Sequence, residues 1–416
     1  MRAGALLMMT TVLALFFLLD WYAFQGVKTL TANHQWRRGI HWGYWLVSAG
    51  LPIGLIVSLM SIGRMNPVST TVGSLFITLL VTKLAFVLVL MGGDIWRVAE
   101  GLFHKFAGSS ATPGGFLPER RKFVSQLAIG VAAIPFASFL YGITKGKYNY
   151  KVHRHTLYFE DLPAAFDGFT ITQLSDVHSG SFDNADAVRR GVELANAQQS
   201  DLFVFTGDLV NNAATEFEPW IDIFSKITAP FGQFSILGNH DYGDYSSWPS
   251  KAAKQANFEK LKQHHATVDF RLLLDENVTI EKDGQQIALL GVENWGLGFG
   301  QRGDLNKALR GVPDGAFKIL LSHDPSHWDA EVKKHPSPVH LTLSGHTHGM
   351  QMGVEIPGLR WSPVKYRYPK WAGLYEEAGK YINVNRGFGF LGFSGRVGIW
   401  PEITVLQLRR GNDESV

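Results

Sequence analysis

Four apolar runs of 21 or 22 residues occupy the first third of this 416-residue chain, at residues 4–24, 42–63, 72–92 and 123–143. A helix needs about 20 apolar residues to cross a hydrocarbon core, and inside lipid a helix satisfies its own backbone hydrogen bonds. None of the runs shows the polar face that a helix packed on a water-soluble domain would carry. We therefore read residues 1–144 as a membrane region with four transmembrane helices. The first run is basic at Arg2 but longer than the roughly 7–15 apolar residues of a signal-peptide core. Composition agrees with a chain divided between two solvents. Charged residues make up 18% of it, against roughly 25% in a typical soluble protein. Residues 1–144 hold 11 Lys/Arg and 4 Asp/Glu, whereas residues 145–416 hold 28 and 32. An acidic second part argues against a nucleic-acid partner. The absence of cysteine excludes thiolate zinc sites, cysteine nucleophiles and disulfides, and says nothing about redox compartment.

Lys and Arg placement orients the helices. The loop at 25–41 holds Lys28, Arg37 and Arg38, and the loop at 93–122 holds Arg97, Lys105, Arg120, Arg121 and Lys122. The opposite side has Arg2, Arg64, Lys145, Lys147, Lys151 and Arg154. This modest bias puts the two longer loops in the cytoplasm. The expectation is a multi-pass cell (inner) membrane protein whose residues after 144 are extracytoplasmic. Arg120-Arg121-Lys122 before an apolar run resembles a twin-arginine export signal; we read it as a basic membrane anchor, and both readings keep it cytoplasmic. Lys83 falls near the middle of the third run, where a cation costs about 2.5–3.5 kcal/mol on insertion scales. Asp20 is its candidate partner, with snorkelling of the ammonium the alternative.

Residues 145–156 read as a short basic linker and 157–410 as a catalytic domain. Strands are expected at 169–175, 201–206, 233–237, 287–292, 317–321 and 339–344, and helices at about 184–198, 216–226 and 251–264. Alternation of this kind argues for an α/β domain. Polar motifs follow five of these strands: Asp176-Val177-His178, Gly207-Asp208, Gly238-Asn239-His240-Asp241, Ser322-His323-Asp324 and Gly345-His346-Thr347-His348-Gly349. Sites in α/β sheets gather at the carboxyl ends of strands, so the five motifs should converge.

Asp and His are ligands for Zn, Mn, Fe and similar ions. Asp176/His178 and His346/His348 are each spaced i, i+2, which in an extended segment places both side chains on one face. Asn239 and His240 are adjacent, so one can face a metal and the other a substrate. Asp176, His178, Asp208, Asn239, His323, His346 and His348 are too many donors for one tetrahedral ion and suit two ions sharing a carboxylate. Such a pair activates a bridging hydroxide and clamps a phosphoryl group for in-line displacement.

The ordered set D-x-H, G-D, G-N-H-D, H and G-H-T-H resembles the calcineurin-like metallophosphoesterase superfamily. The surrounding GNHDYG, LSHDP, SGHTHG and PEIT are similar to its membrane-associated branch, and the resemblance covers about residues 155–409. It implies a four-layer α/β/β/α sandwich of two mixed sheets with helices outside. It further implies two divalent metal ions (Mn, Fe, Zn, Co or Mg), the first on Asp176, His178 and His348, the second on Asn239, His323 and His346, with Asp208 bridging. His240 would act as general acid, and Asp241 would orient it. The glycines at 207, 238, 345 and 349 would allow tight turns beside the ions. Met350 departs from relatives that often carry a second glycine there.

Other features weigh less. His153 and His155 are spaced like ligands but fall in the basic linker, and His264, His265, His327, His335 and His340 suit surface or packing roles. The Gly- and aromatic-rich segment 384–400 reads as a loop near the site or membrane, or as a β-hairpin, with Arg386 and Arg396 as candidates to contact a substrate phosphate. The expected function is a membrane-anchored phosphoesterase acting on a phosphodiester or pyrophosphate bond, with the bilayer and a phosphate-ester substrate, lipid-linked or in the envelope, as partners. The alternative is a membrane transport or sensing protein with a regulatory metal-binding domain; Lys83 alone favours it.

Overall fold

A computed structural model describes residues 2–61, 67–106 and 118–412. Arg64, the end of the second apolar run and the tail at 413–416 lie outside the described residues. The chain divides into two compact units, Met1–Ile143 and Thr144–Val416.

The first unit is helical: α1 (Arg2–Leu30), α2 (Arg37–Ser61), α3 (Pro67–Phe106) and α4 (Pro118–Thr144). Among the described residues, Arg37–Met60, Pro67–His104 and Glu119–Thr144 are long and apolar enough to cross a membrane. The helices outrun the apolar segments that seed them. Residues 93–106, read as part of a loop, continue α3; they contain no proline, and Arg97 pairs one turn back with Asp94 at 3.0 Å. The Lys83–Asp20 pair expected from sequence is formed. The ammonium also donates to Ser48 Oγ at 2.8 Å and lies 5.3 Å from the centre of the Tyr44 ring. The cation is therefore neutralised within the bundle instead of snorkelling to water.

The second unit holds two six-stranded mixed sheets. In the first, β1 (Lys151–Phe159) pairs in parallel with β14 (Glu402–Arg410), which runs antiparallel to β2 (Thr170–Leu174). Then β3 (Leu202–Phe205), β4 (Gln233–Ser235) and β5 (Arg271–Leu272) follow in parallel. In the second, the order is β12 (Gly373–Glu377), β13 (Lys380–Val384), β9 (Leu341–Ser344), β8 (Lys318–Leu321), β7 (Gln285–Gly291) and β6 (Glu276–Lys282). Its central four strands are parallel and its edges antiparallel. A small hairpin, β10 (Val354–Ile356) and β11 (Leu359–Trp361), stands apart.

Among the described residues, apolar side chains of this unit sort into four clusters, a small one of Tyr368, Trp371, Ala372 and Ile399 and three that pack the sheets. Of these three, one joins strands of both sheets, including Ile171, Val204, Leu289, Ile319, Leu343 and Leu406. The second packs the first sheet against α5 (Ala185–Asn196) and α7 (Lys251–Thr267), and the third packs the second sheet against α8 (Leu305–Ala308) and α9 (Ser326–Ala330). Burial on both faces explains why β3 reads as an unbroken apolar run instead of alternating, as does β8 after its buried Lys318.

All six expected strands are present. The helix expected at 216–226 is mostly tight turns around a four-residue α6 (Ile221–Phe224). Pro219 falls inside the expected span, where it has no N–H to give to a helical ladder, so the α-helix begins only after it. The linker at 145–156 is corrected: residues 146–148 form a turn, and Lys151 begins β1, hydrogen-bonded in register from Lys151↔Glu402 onward. Alternating polar residues there mark a sheet edge, and burial lowers the His155 pKa.

Candidate metal centre

Strand register brings the motifs together. Leu174 lies beside Phe205 and Phe205 beside Ser235, so β2, β3 and β4 end level. Leu321 lies beside Leu343 in the other sheet. Bonds then cross between the sheets: Gln173 Nε2 donates to the Ser344 carbonyl at 2.9 Å, and His323 Nδ1 donates to the Thr206 carbonyl at 2.7 Å.

Two donor groups result, Asp176–His178–His348 and Asp208–His323–His346, each with its ligand atoms within 4.8 Å of one another. In the first, His178 Nε2 and His348 Nε2 face each other at 3.0 Å, with Asp176 Oδ1 3.2 Å from the latter. In the second, His323 Nε2 lies 3.2 Å from Asp208 Oδ2. The same oxygen is 3.5 Å from His178 Nε2, which sets Asp208 between the groups. Asn239 Oδ1 joins the second group, 2.9 Å from His346 Nδ1. All seven donors expected from sequence therefore meet.

The route to this convergence differs from the expected one. Asp176, His178, His346 and His348 are not on a pleated strand; their φ angles are 52°, 45°, 70° and 51°. Left-handed backbone turns each pair inward, a conformation that L residues adopt at a cost. Glycine is required nearby on space alone: a Cβ on Gly345 would fall 1.9 Å from Ser175 Oγ and 2.2 Å from Asp176 Oδ2. At Gly207, with φ of 95°, it would meet the Gly238 nitrogen at 2.5 Å.

The donors fit divalent ions. His323 gives its Nδ1 proton to a carbonyl, so in the neutral ring the Nε2 lone pair faces the Asp208 carboxylate, a repulsive contact that only a cation between them relieves. Burial disfavours the charged imidazole, yet the Asp208 and Asp176 charges outweigh it and push His323 up to about 10. Burial likewise opposes the Asp208 carboxylate, but His323 and its neighbours hold it well below the usual range. A proton there takes the place of a metal's charge. His178, buried and without such a net gain, is lowered, and its Nδ1 has no hydrogen-bond partner.

His240 sits beside the groups, its ring 4.9 Å from that of His178. Its Nδ1 donates to the Asn211 carbonyl at 2.8 Å, which leaves Nε2 as the free nitrogen. Asp241 departs from its expected part. Its carboxylate accepts the backbone N–H groups of Gly238, Asp208 and Leu209, each at 2.8 Å, and so ties the β3 and β4 turns together, while the Asn211 carbonyl orients His240. Burial and the Asp208 charge raise Asp241 to about 7.

Arg386 and Arg396 are also corrected as phosphate contacts. Arg386 is buried between Glu402 and Glu355, both at 2.5 Å. Arg396 is fully buried and donates to the carbonyls of Arg386, Gly387 and Gly389. The segment 385–400 is a loop under the site and forms no hairpin; a Cβ on Gly387 would meet Asp176 and His348 at 3.0 Å. Two residues went unassigned in the sequence. Asp324 lies 3.4 Å from His346 Nε2, and Tyr368 OH contacts the same nitrogen at 2.8 Å while donating to Asp324 at 3.1 Å. The adjacent acid in S-H-D was a usable signal for Asp324; Tyr368 carried none.

Comparison with known proteins places these features. Residues 3–147 match the family model described as probable calcineurin-like phosphoesterase, transmembrane domain, and residues 169–350 match calcineurin-like phosphoesterase. The chain is 33% identical over 261 residues to the uncharacterized metallophosphoesterase YkuE of Bacillus subtilis, covering 62% of this chain and 85% of that one. It is 26% identical over 343 residues to a bovine transmembrane protein with metallophosphoesterase domain, covering 79% and 71%. With the phosphodiesterase YaeI of Escherichia coli the figures are 28% over 292 residues, covering 70% and 98%. The chain belongs to the calcineurin-like metallophosphoesterases, as a membrane protein with a metal-dependent phosphoesterase domain.

Proposed function

We propose that this protein hydrolyses a phosphodiester or pyrophosphate bond of a lipid-linked or envelope substrate, at a site held by four membrane helices on the extracytoplasmic side of the cell (inner) membrane. The carrying observation is Asp208 Oδ2, within 3.5 Å of a donor atom in each ligand group, with His240 alongside. Asp176, His178 and His348 would hold one divalent ion, Asn239, His323 and His346 the other, and Asp208 both. When bound, the ions supply Lewis acidity, an activated water and charge neutralisation for a phosphoryl group.

This chain's own residues do the rest. His240, fixed through Nδ1 on Asn211, would in its doubly protonated form give the Nε2 proton to the leaving oxygen and so return to the neutral ring. Asp241 holds the β3 and β4 turns in register so that Asp208 and Asn239 approach together. The Asp208 Oδ1 atom accepts the His240 backbone N–H at 2.8 Å, which leaves Oδ2 for the ions. Three of the apolar clusters, one between the sheets and one on each outer face, support the four-layer arrangement. Lys83, the feature favouring a transport or sensing protein, is neutralised by Asp20.

The test uses the full chain in detergent, stripped of metal and supplied with Mn²⁺, Zn²⁺ or Mg²⁺ in turn. Hydrolysis of a chromogenic phosphodiester and a matching monoester is followed, and ion binding is measured by calorimetry. The expected result is metal-dependent diester turnover, with Asp208→Asn losing ion binding and His240→Ala losing turnover while still binding ions. Two bound ions without turnover of either ester would overturn the proposal.

A further inference from the structure

The apolar surface of the second unit is confined to one place. Beyond residue 144, among the described residues, the exposed large apolar side chains fall mostly between 350 and 366: Met350, Val354, Ile356, Leu359, Trp361 and Tyr366. Only Tyr245 and Leu297 lie elsewhere in sequence. Leu297 returns to this stretch, its carbonyl accepting from Arg367 at 2.8 Å, and Tyr245 lies beside the donor groups, its OH accepting from Asn239 Nδ2 at 3.0 Å. The stretch 350–368 itself starts two residues after His348 and ends at Tyr368, whose hydroxyl touches His346. A patch of this kind on an otherwise polar surface marks a contact site.

Its charges are one-sided. Arg360, Lys365 and Arg367 are exposed, whereas the stretch's one acid, Glu355, is engaged by Arg386 at 2.5 Å. The hairpin of β10 and β11 adds to neither main sheet, and two strands alone gain little from burial. Apolar residues, Trp and Tyr, and basic side chains on one projecting element are the combination that partitions into a lipid interface. Basic residues near an anionic leaflet add attraction. A second copy of the chain would set these cations against one another, which favours lipid over self-association.

Resting on the phosphoesterase reading above, we propose that the 350–367 rim docks on an anionic bilayer surface, and that the substrate is a phosphoester presented by a membrane lipid. The rim would receive the lipid's apolar portion and its basic residues the neighbouring headgroups. The ligand groups sit beside it, so the scissile phosphate reaches them without leaving the interface.

The absence of cysteine allows single-site labelling. Full chain carrying Ile356→Cys, or Asp283→Cys in the exposed β6–β7 turn, is labelled with an environment-sensitive fluorophore and placed in nanodiscs of anionic or zwitterionic lipid. The expected result is a blue shift at 356, stronger with anionic lipid and quenched by nitroxide-bearing lipid, and none at 283. A label at 356 as water-exposed as at 283 overturns docking. A shielded label that lipid nitroxides do not quench shows a protein cover and overturns it too. In parallel, Ile356→Asp/Leu359→Asp should lower turnover of a bilayer-embedded phosphodiester about tenfold while a soluble diester changes less than about twofold; equal losses on both overturn the substrate assignment. Failure of the unaltered chain on both substrates would instead count against the phosphoesterase reading, with the label still deciding the surface.

Discussion

Replacing Glu402 by glutamine tests whether a buried ion pair stabilises the unit that carries the candidate metal donors. Glu402 opens β14, fully buried, and accepts from Arg386 Nη1 at 2.5 Å, from the Arg386 backbone N–H at 3.1 Å and from Thr404 Oγ1 at 2.5 Å. Burial alone would raise its pKa, yet the Arg386 charge outweighs this and holds the carboxyl at about 2, against an ordinary 4.5. At about 1.4 kcal/mol per pH unit, the difference amounts to about 3 kcal/mol. The folded value is the depressed one, so this stability is present above pH 4.5 and is lost as pH falls towards 2. Removing one partner of a buried pair typically costs about 3–5 kcal/mol, which agrees. For a unit of this size, about 3 kcal/mol corresponds to a drop in Tm of roughly 6–10 °C. The assay is thermal unfolding of the full chain in detergent at pH 7, with Glu355→Gln as comparator. Glu355 holds the other side of Arg386 but is partly exposed, so its loss should cost about 1 kcal/mol or less. Equal Tm values for Glu402→Gln and the unaltered chain would refute the reasoning, because burial would then cancel the pair's attraction.

Three further outcomes follow from named contacts. His265 is buried with Nδ1 against Ser235 Oγ, and burial lowers it to about 3 from 6.5. The unfolded chain therefore takes up the proton first: stability is full above pH 6.5 and falls as pH drops, by about 2 kcal/mol at pH 5. His265→Gln should flatten that part of a Tm-versus-pH curve, and an unchanged slope would count against it. Gly345→Ala forces Ser175 and Asp176 aside, so ion affinity measured by calorimetry should fall roughly 10–100-fold, as when ligand-supporting contacts are lost; unaltered affinity would show that the turn yields freely. Met350, exposed with φ of 54°, holds a strained left-handed conformation. Met350→Gly should stabilise by about 0.5–1 kcal/mol, read as a rise in Tm, after allowing for glycine's looser unfolded chain.

What could be read in the sequence, and what could not, divides along a physical line. The strand Leu202–Phe205 is buried on both faces, so its apolar run stands out and the polar motif after it marks the strand end. The candidate donors follow from the residue types of the five motifs. Strands β1, β6 and β12 lie at sheet edges, where polar residues alternate or dominate, and were not among the expected strands; the interior β13 and β14 were not expected either, with polar residues such as Asn383, Glu402, Thr404 and Gln407 interrupting their apolar ones. Partners supplied by backbone were equally hidden: the Asn211 carbonyl on His240 and the Thr206 carbonyl on His323 depend on where the chain turns. The i, i+2 spacing gave the right neighbours for a different geometrical reason. Asp176 and His178 face one point because both are left-handed, with Gly207 and Gly345 keeping the adjoining turns thin enough to admit them. Such strain persists only where the surroundings enforce it. Here the enforcement is visible in the Asp176 carboxylate, which accepts the His346 backbone N–H at 3.0 Å and so locks the first motif to the last. The same oxygens that would hold an ion thus also close the turn that presents the next candidate donors, and this is why substituting Asp176 should perturb both donor groups instead of one.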